Sequence, residues 1–201
     1  MSLKTFVKVS NVTNLSDARY CAGMMVDVIG FNVDPTSSER MSPEDFKEIT
    51  EWVAGVKYAG EFEDSSKDTI CDALNHYPLD YIQIADYSAV ETVHLLGKPI
   101  IFKLSVDTAA ELQALKGKLS YLDELVDLIV IRSNDPALYD SIDSQIGYYN
   151  GNVKLLKGYG LTETEHLSKY PGLELEAEKE ERPGFKDYGA VMDVLEAIEE
   201  D

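Results

Sequence analysis

Residues 99–131, PIIFKLSVDTAAELQALKGKLSYLDELVDLIVI, decide the fold. The segment opens on the apolar run Pro99–Leu104 (PIIFKL) and passes Asp107 and Thr108 into a stretch with Ala110, Leu112 and Leu115 at helical spacing. It closes on a second apolar run, Asp127–Ile131 (DLIVI). Runs apolar nearly throughout are the pattern of strands covered on both faces, and Asp or Thr ahead of a periodic stretch is the pattern of a capped helix. Strand, helix, strand in that order predicts a parallel β-α-β crossover.

The unit repeats in both directions. Upstream lie Thr5–Val9 (TFVKV), Asp27–Asn32 (DVIGFN), Val56–Phe62 (VKYAGEF) and Asp80–Ile84 (DYIQI); downstream lie Asn152–Leu156 (NVKLL) and Leu173–Leu175 (LEL). The intervening segments start on helix signals: Ser16-Asp17, Ser42-Pro43-Glu44, Ser65-Ser66, Ser88, Asn134-Asp135-Pro136, Thr162 and Asp187. Eight such units in 201 residues leave about 25 residues for each. The expected fold is therefore a compact α/β protein, a single (β/α)8 barrel domain over residues 1–201 with tight loops. An open doubly wound sheet is the alternative, but neither G-x-G-x-x-G nor G-x-x-x-x-G-K-[ST] occurs to give it its usual nucleotide site.

Composition narrows the function. Eighteen Lys and Arg stand against 37 Asp and Glu, a net charge of −19, so phosphate backbones and anionic lipid surfaces are poor partners. Hydrophobic residues make up 44 % of the chain, enough for a sizeable core, and no run approaches a membrane span or a secretory leader. A cytoplasmic protein is expected, with no nucleic-acid or membrane partner, as monomer or homodimer. Cys21 and Cys71 form no C-x-x-C pair and are expected as reduced core thiols; Trp52, Tyr148 and Tyr149 are expected as packing residues.

In such a barrel the chemistry sits where strands end. Those positions carry Ser10 and Asn11, Arg40, Glu61 and Glu63, Gln83 and Asp86, Lys103, Arg132, Gly158 and Gly160, and Glu176 and Glu178. Converging acids could hold a divalent cation, although a solvated rim is the commoner outcome. Lys103 is expected to pair with an acid, a desolvated Schiff-base lysine being the alternative, and Arg132 to point into the mouth, there either to neutralise Glu61, Glu176 or Glu178 or to bind a ligand.

Four stretches in order carry a resemblance. Val7-Lys8-Val9-Ser10-Asn11-Val12-Thr13, followed by Asp17-Ala18, resembles the V-K-I-C-G-x-T and D-A opening of the phosphoribosylanthranilate isomerases. Val26–Phe31 running on to Ser38-Glu39-Arg40 and Ser42-Pro43-Glu44 is similar to that family's G-A-D-x-x-G-F, S-x-R and S-P-E stretch. Leu79–Ile84 (LDYIQI) resembles its L-D-x-V-Q-L strand, and Pro183–Asp187 (PGFKD) resembles the P-G-x-K-D start of its last helix. The resemblance implies a TIM barrel of the ribulose-phosphate-binding type and an Amadori rearrangement of an aminoaldose phosphate in tryptophan biosynthesis, with no cofactor.

The departures fall on the chemistry. The family's general base, a Cys after strand one, is Ser10 here, and its general acid, an Asp after strand six, is Arg132. A serine hydroxyl is a poor base without an activating partner, and an arginine does not give up its proton near neutral pH. The glycine-containing phosphate loops give way to Asn134–Asn152 and to Glu176-Ala177-Glu178-Lys179-Glu180; Gly158 and Gly160 remain. Residues 174–201 hold 11 acids against three bases. One carboxylate about 5 Å from a phosphate costs roughly 3 kcal/mol per unit charge at an effective dielectric of 20. The expectation is a divergent member without isomerase chemistry that acts as an interaction protein or binds another small ligand at the mouth, through Asn11, Arg40, Gln83, Lys103, Gly158, Gly160, Glu176 and Glu178. An active isomerase with altered residues Ser10 and Arg132, and a metal-assisted enzyme using the acidic mouth, are the two alternatives.

Overall fold

A computed structural model describes residues 2–63, 65–162, 166–177 and 189–200. Eight parallel strands close into a barrel in sequence order. They are β1 (Phe6–Ser10), β2 (Val28–Asn32), β3 (Lys57–Glu61), β4 (Tyr81–Ile84), β5 (Ile100–Ser105), β6 (Leu128–Arg132), β7 (Lys154–Lys157) and β8 (Gly172–Glu176), with β8 paired to β1 across the seam. The helices between them are α1 (Leu15–Gly23), α2 (Pro43–Thr50), α3 (Lys67–Ala73), α4 (Val90–His94), α5 (Ala109–Leu122) and α6 (Tyr139–Gly147), and α7 (Gly189–Ala197) follows β8. The open doubly wound sheet is thereby excluded.

Side chains explain the starts. Asn14, Ser42, Ser66 and Thr108 each accept a backbone N–H from the first turn of α1, α2, α3 and α5, supplying a partner for a group that has none within the helix. At Thr108 the cap is reciprocal, because Glu111 reaches back to the Thr108 hydroxyl and the Asp107 N–H. The base of the barrel is tied by a repeated device. Asp27, Asp80 and Asp127, each just ahead of its own strand, accept the N–H of Val7, Tyr58 and Ile100 on the preceding strand, all at 2.8 Å. These N–H groups at the strand starts would otherwise be unpaired.

Alternation along the strands sorts the core into two. The larger core lies between the outer faces of the strands and the helices; it includes Phe31, Phe46 and Tyr77, whose rings meet edge to face. The smaller core fills the barrel: Val28, Ala59, Ile101, Leu128, Val130 and Leu156, with Phe6 and Tyr81 packed against it. Above this apolar plug, toward the carboxyl ends of the strands, the inward positions turn polar.

Several local expectations are corrected. The segment opened by Thr162 contributes, among the described residues, only a 3-10 turn at Leu167–Lys169. Cys71 lies exposed on α3 rather than in the core, while Cys21 is buried. Trp52 is 65 % exposed beneath the Arg19 guanidinium and Tyr148 is 86 % exposed, so neither is a packing residue; Tyr149 is partly buried and donates its hydroxyl to Asp123. Among the described residues no helix is long and apolar enough to cross a membrane. Glu178 and the Pro183–Asp187 stretch lie outside the described residues.

Candidate functional site

Lys8 is the pivot of the polar layer. It points into the barrel from the middle of β1 and is fully buried. Its ammonium donates to Glu61 of β3 at 2.6 Å, to Glu174 of β8 at 3.1 Å and to the Ser10 hydroxyl. Register supplies the Glu174 contact, since Lys8 lies directly beside it across the seam. Glu61 is two strands away, and the contact needs a gap in between. Gly30 of β2 supplies it: a Cβ there would sit 2.1 Å from Glu61 Oε1 and 3.1 Å from Lys8 Nζ.

The opposite side of the barrel repeats this arrangement. Arg132 at the end of β6 reaches past β7 to Glu174, and Gly158 fills the intervening position, where a Cβ would meet the Arg132 Cδ at 2.9 Å and Glu174 Oε2 at 3.0 Å. Arg132 also donates through Nη1 to Glu176 at 2.9 Å. Glu174 therefore joins both halves: one oxygen accepts from Lys8 and Ser10, the other from Arg132. Asn11 closes the rim. Its side-chain nitrogen donates to Glu176 at 2.5 Å and its backbone N–H to Glu61 at 3.1 Å. It does so with φ of 55°, a left-handed backbone that asparagine tolerates better than most side chains.

Burial disfavours charge on both partners at the centre, and the ion pairs overcome it. Glu61 and Glu174 hold the Lys8 ammonium above its ordinary 10.5, and Lys8, Arg132 and the Ser10 hydroxyl hold Glu174 below its ordinary 4.5. Glu174 and Glu176 raise Arg132 in the same way against its burial. A carboxyl lowered in the fold contributes stability that is complete above about 4.5 and disappears as pH falls through the lowered value; the raised ammonium loses its share only as pH climbs through a value above 10.5. The gap in melting temperature between the parent protein and Glu174→Gln should therefore be wide at pH 7 and close progressively below pH 4.5. Melting curves followed by circular dichroism across that range check this; a gap independent of pH would contradict it.

The other strand-end residues fall into groups. Gln83, beside Glu61 in register, lines a cavity of about 200 Å3 at the mouth, together with Ser10, Asn11, Glu63, Lys103, Arg132 and Glu176. Lys103 donates to Glu63 at 2.9 Å, the expected ion pair. Arg40 stands apart, exposed over the Tyr77 ring with Nε 3.2 Å from the Tyr77 hydroxyl. It lines a second groove of about 520 Å3 that shares Asn11 and Asn32 with the mouth. Gly160, at φ of 59°, packs against Tyr139; with Gly158 it borders a third groove whose charged lining is Arg132 against Glu174, Glu176, Asp193 and Glu196. Asp86 does not converge, because it caps a 3-10 turn by accepting the Ser88 N–H. Among the described residues no group of three or more His, Cys, Asp or Glu is placed to hold a metal ion.

Sequence reading missed Lys8 and Glu174 as site residues, although both were visible as charges in the inward phase of strands with apolar neighbours, Val7 and Val9 for one and Leu173 and Leu175 for the other.

A closed eight-stranded parallel barrel with its polar residues gathered at the strand carboxyl ends defines the TIM-barrel class. The family model of N-(5'-phosphoribosyl)anthranilate isomerase matches residues 7–134, and the chain belongs to that family. The isomerases of Thermotoga maritima and Paramagnetospirillum magneticum are each 27 % identical, over 106 and 125 residues. These matches cover 52 % and 60 % of this chain, and 52 % and 58 % of the relatives. The chain thus spans little more than half the length of the curated relatives it matches. In three dimensions, a phosphoribosyl anthranilate isomerase solved in complex with reduced 1-(o-carboxyphenylamino)-1-deoxyribulose 5-phosphate superposes with a TM-score of 0.74 at 20 % identity. That match covers 96 % of this chain and 98 % of the other. The family match ends just after β6, ahead of Gly158, which follows β7, and of Glu174 and Glu176 on β8.

Proposed function

We propose that this chain, as one barrel domain over residues 1–201, is a divergent family member in which the isomerase chemistry has been replaced by an ion cluster and the mouth holds a different small ligand. One observation carries the reading: the two positions at which the family transfers protons, Ser10 and Arg132, are both bound to the same buried carboxylate, Glu174. The Ser10 hydroxyl donates a hydrogen bond to Glu174 while its oxygen accepts one from the Lys8 ammonium, and a cation held on that oxygen lowers its basicity toward a substrate proton. Arg132 stays charged throughout. Gly158, at the position of a phosphate loop in the family, provides the space for the Arg132–Glu174 pair instead. The groove beyond it carries four carboxylates against one guanidinium, a poor setting for a phosphate dianion.

Family membership and the retained Arg40 and Gln83 favour a second reading, an isomerase working through altered residues. Growth of a tryptophan auxotroph lacking the isomerase separates the two. The expected result is no growth when the protein is expressed in soluble form; rescue would establish the second reading.

A further inference from the structure

The replaced mouth also selects a kind of ligand. Three cations, Lys8, Lys103 and Arg132, meet four carboxylates, Glu61, Glu63, Glu174 and Glu176, in this layer, and every cation already holds at least one carboxylate. The layer carries one carboxylate in excess, so an incoming anion would add to that excess, whereas an incoming monocation that shares Glu63 with Lys103 brings the layer to neutrality. Independently, Gln83 is 5 % exposed and lines the cavity, yet its Oε1 is buried without a hydrogen-bond partner among the described residues. A buried acceptor left in this state is costly, and a donor supplied by a ligand removes the cost. Its neighbour in register is Glu61, and Glu63, the most exposed of the four acids, faces the same cavity.

We propose that the barrel mouth binds a small organic monocation, a primary amine whose N–H donates to Gln83 Oε1 and whose charge is balanced by Glu63. This rests on the reading that isomerase chemistry has been lost, and adds to it the class of ligand.

The test uses three probes of one shape, n-propylamine, n-propanol and propionate, with inorganic phosphate as a fourth, each titrated into the full chain and followed by amide chemical shifts in NMR. Propylamine is expected to give saturable shifts around Gln83 and Asn11, and propanol and propionate none. Gln83→Leu should weaken propylamine about tenfold, the loss of one charge-assisted hydrogen bond. Glu63→Gln, at an exposed side chain that tolerates substitution, should weaken it about fivefold. An absence of propylamine shifts, equal shifts with propanol, or undiminished binding in Glu63→Gln would overturn the proposal and leave the loss of isomerase chemistry standing. Saturable phosphate binding at the mouth would overturn both.

Discussion

Glu174→Leu will lower the thermal midpoint by roughly 6–20 °C, the shift that corresponds to about 3–5 kcal/mol in a chain of this size. Among the described residues, Glu174 is the only carboxylate that touches Lys8, Ser10 and Arg132 together. Without it Lys8, fully buried, keeps the Glu61 carboxylate and the neutral Ser10 hydroxyl, and Arg132 falls back on the half-exposed Glu176. Removing one partner of a buried pair is costly because the remaining charge stays desolvated, not because the pair itself was strongly stabilising. Two contrasts identify this cause. Glu176→Ala, which breaks an ion pair at the rim, should cost less than about 1 kcal/mol. Adding Lys8→Met to Glu174→Leu should cost much less than the sum of the single changes, since the orphaned ammonium goes with it. Denaturant or thermal melts of the parent, the three single variants and the double variant measure this, and additive losses would contradict the cluster as a unit.

Gly30→Ala is expected to destabilise by about 3 kcal/mol, far more than the same change at an open surface position. The new Cβ would stand 2.1 Å from Glu61 Oε1, and that carboxylate has no room to retreat because Lys8 and the Asn11 N–H hold its two oxygens. Either the Lys8–Glu61 pair breaks or β2 shifts. The mechanism predicts its own rescue: in a Glu61→Ala background, Gly30→Ala should cost less than about 1 kcal/mol, because the neighbour left near the methyl group is Lys8 Nζ at 3.1 Å, the far end of a flexible side chain. Equal costs in the two backgrounds would place the effect in the backbone. The parallel case is Gly158, whose hydrogen faces the Arg132–Glu174 pair.

The barrel was legible in the sequence because its signals are local and repeated. Pro99–Leu104 and Asp127–Ile131 read as covered strands, Ser42-Pro43 and Thr108 as caps, and the structure places them so. The resemblance led to the right family for the same reason: its four stretches are contiguous motifs, three of them within the matched residues 7–134. The site was legible only in part. Ser10, Asn11, Gln83, Lys103, Arg132 and Glu176 do gather at one mouth. Their partners do not follow from local pattern, since Lys8 meets Glu61 and Glu174 across 53 and 166 residues of chain. Arg132 was expected to neutralise a strand-end acid and does bind Glu176, but it also binds Glu174, one layer deeper. Gly158 reads as the remnant of a phosphate loop, and in the fold it is the gap through which an arginine reaches a glutamate. Asp86 failed for a local reason, since its side chain serves the Ser88 N–H.

The measurement that bears most directly on this account is conversion of N-(5'-phosphoribosyl)anthranilate by the purified chain under conditions where a family isomerase turns it over. With Ser10 and Arg132 bound to Glu174, the expected result is no conversion above the uncatalysed rate, and none in Ser10→Ala or Arg132→Ala. Conversion by the parent protein that is lost in either variant would contradict it.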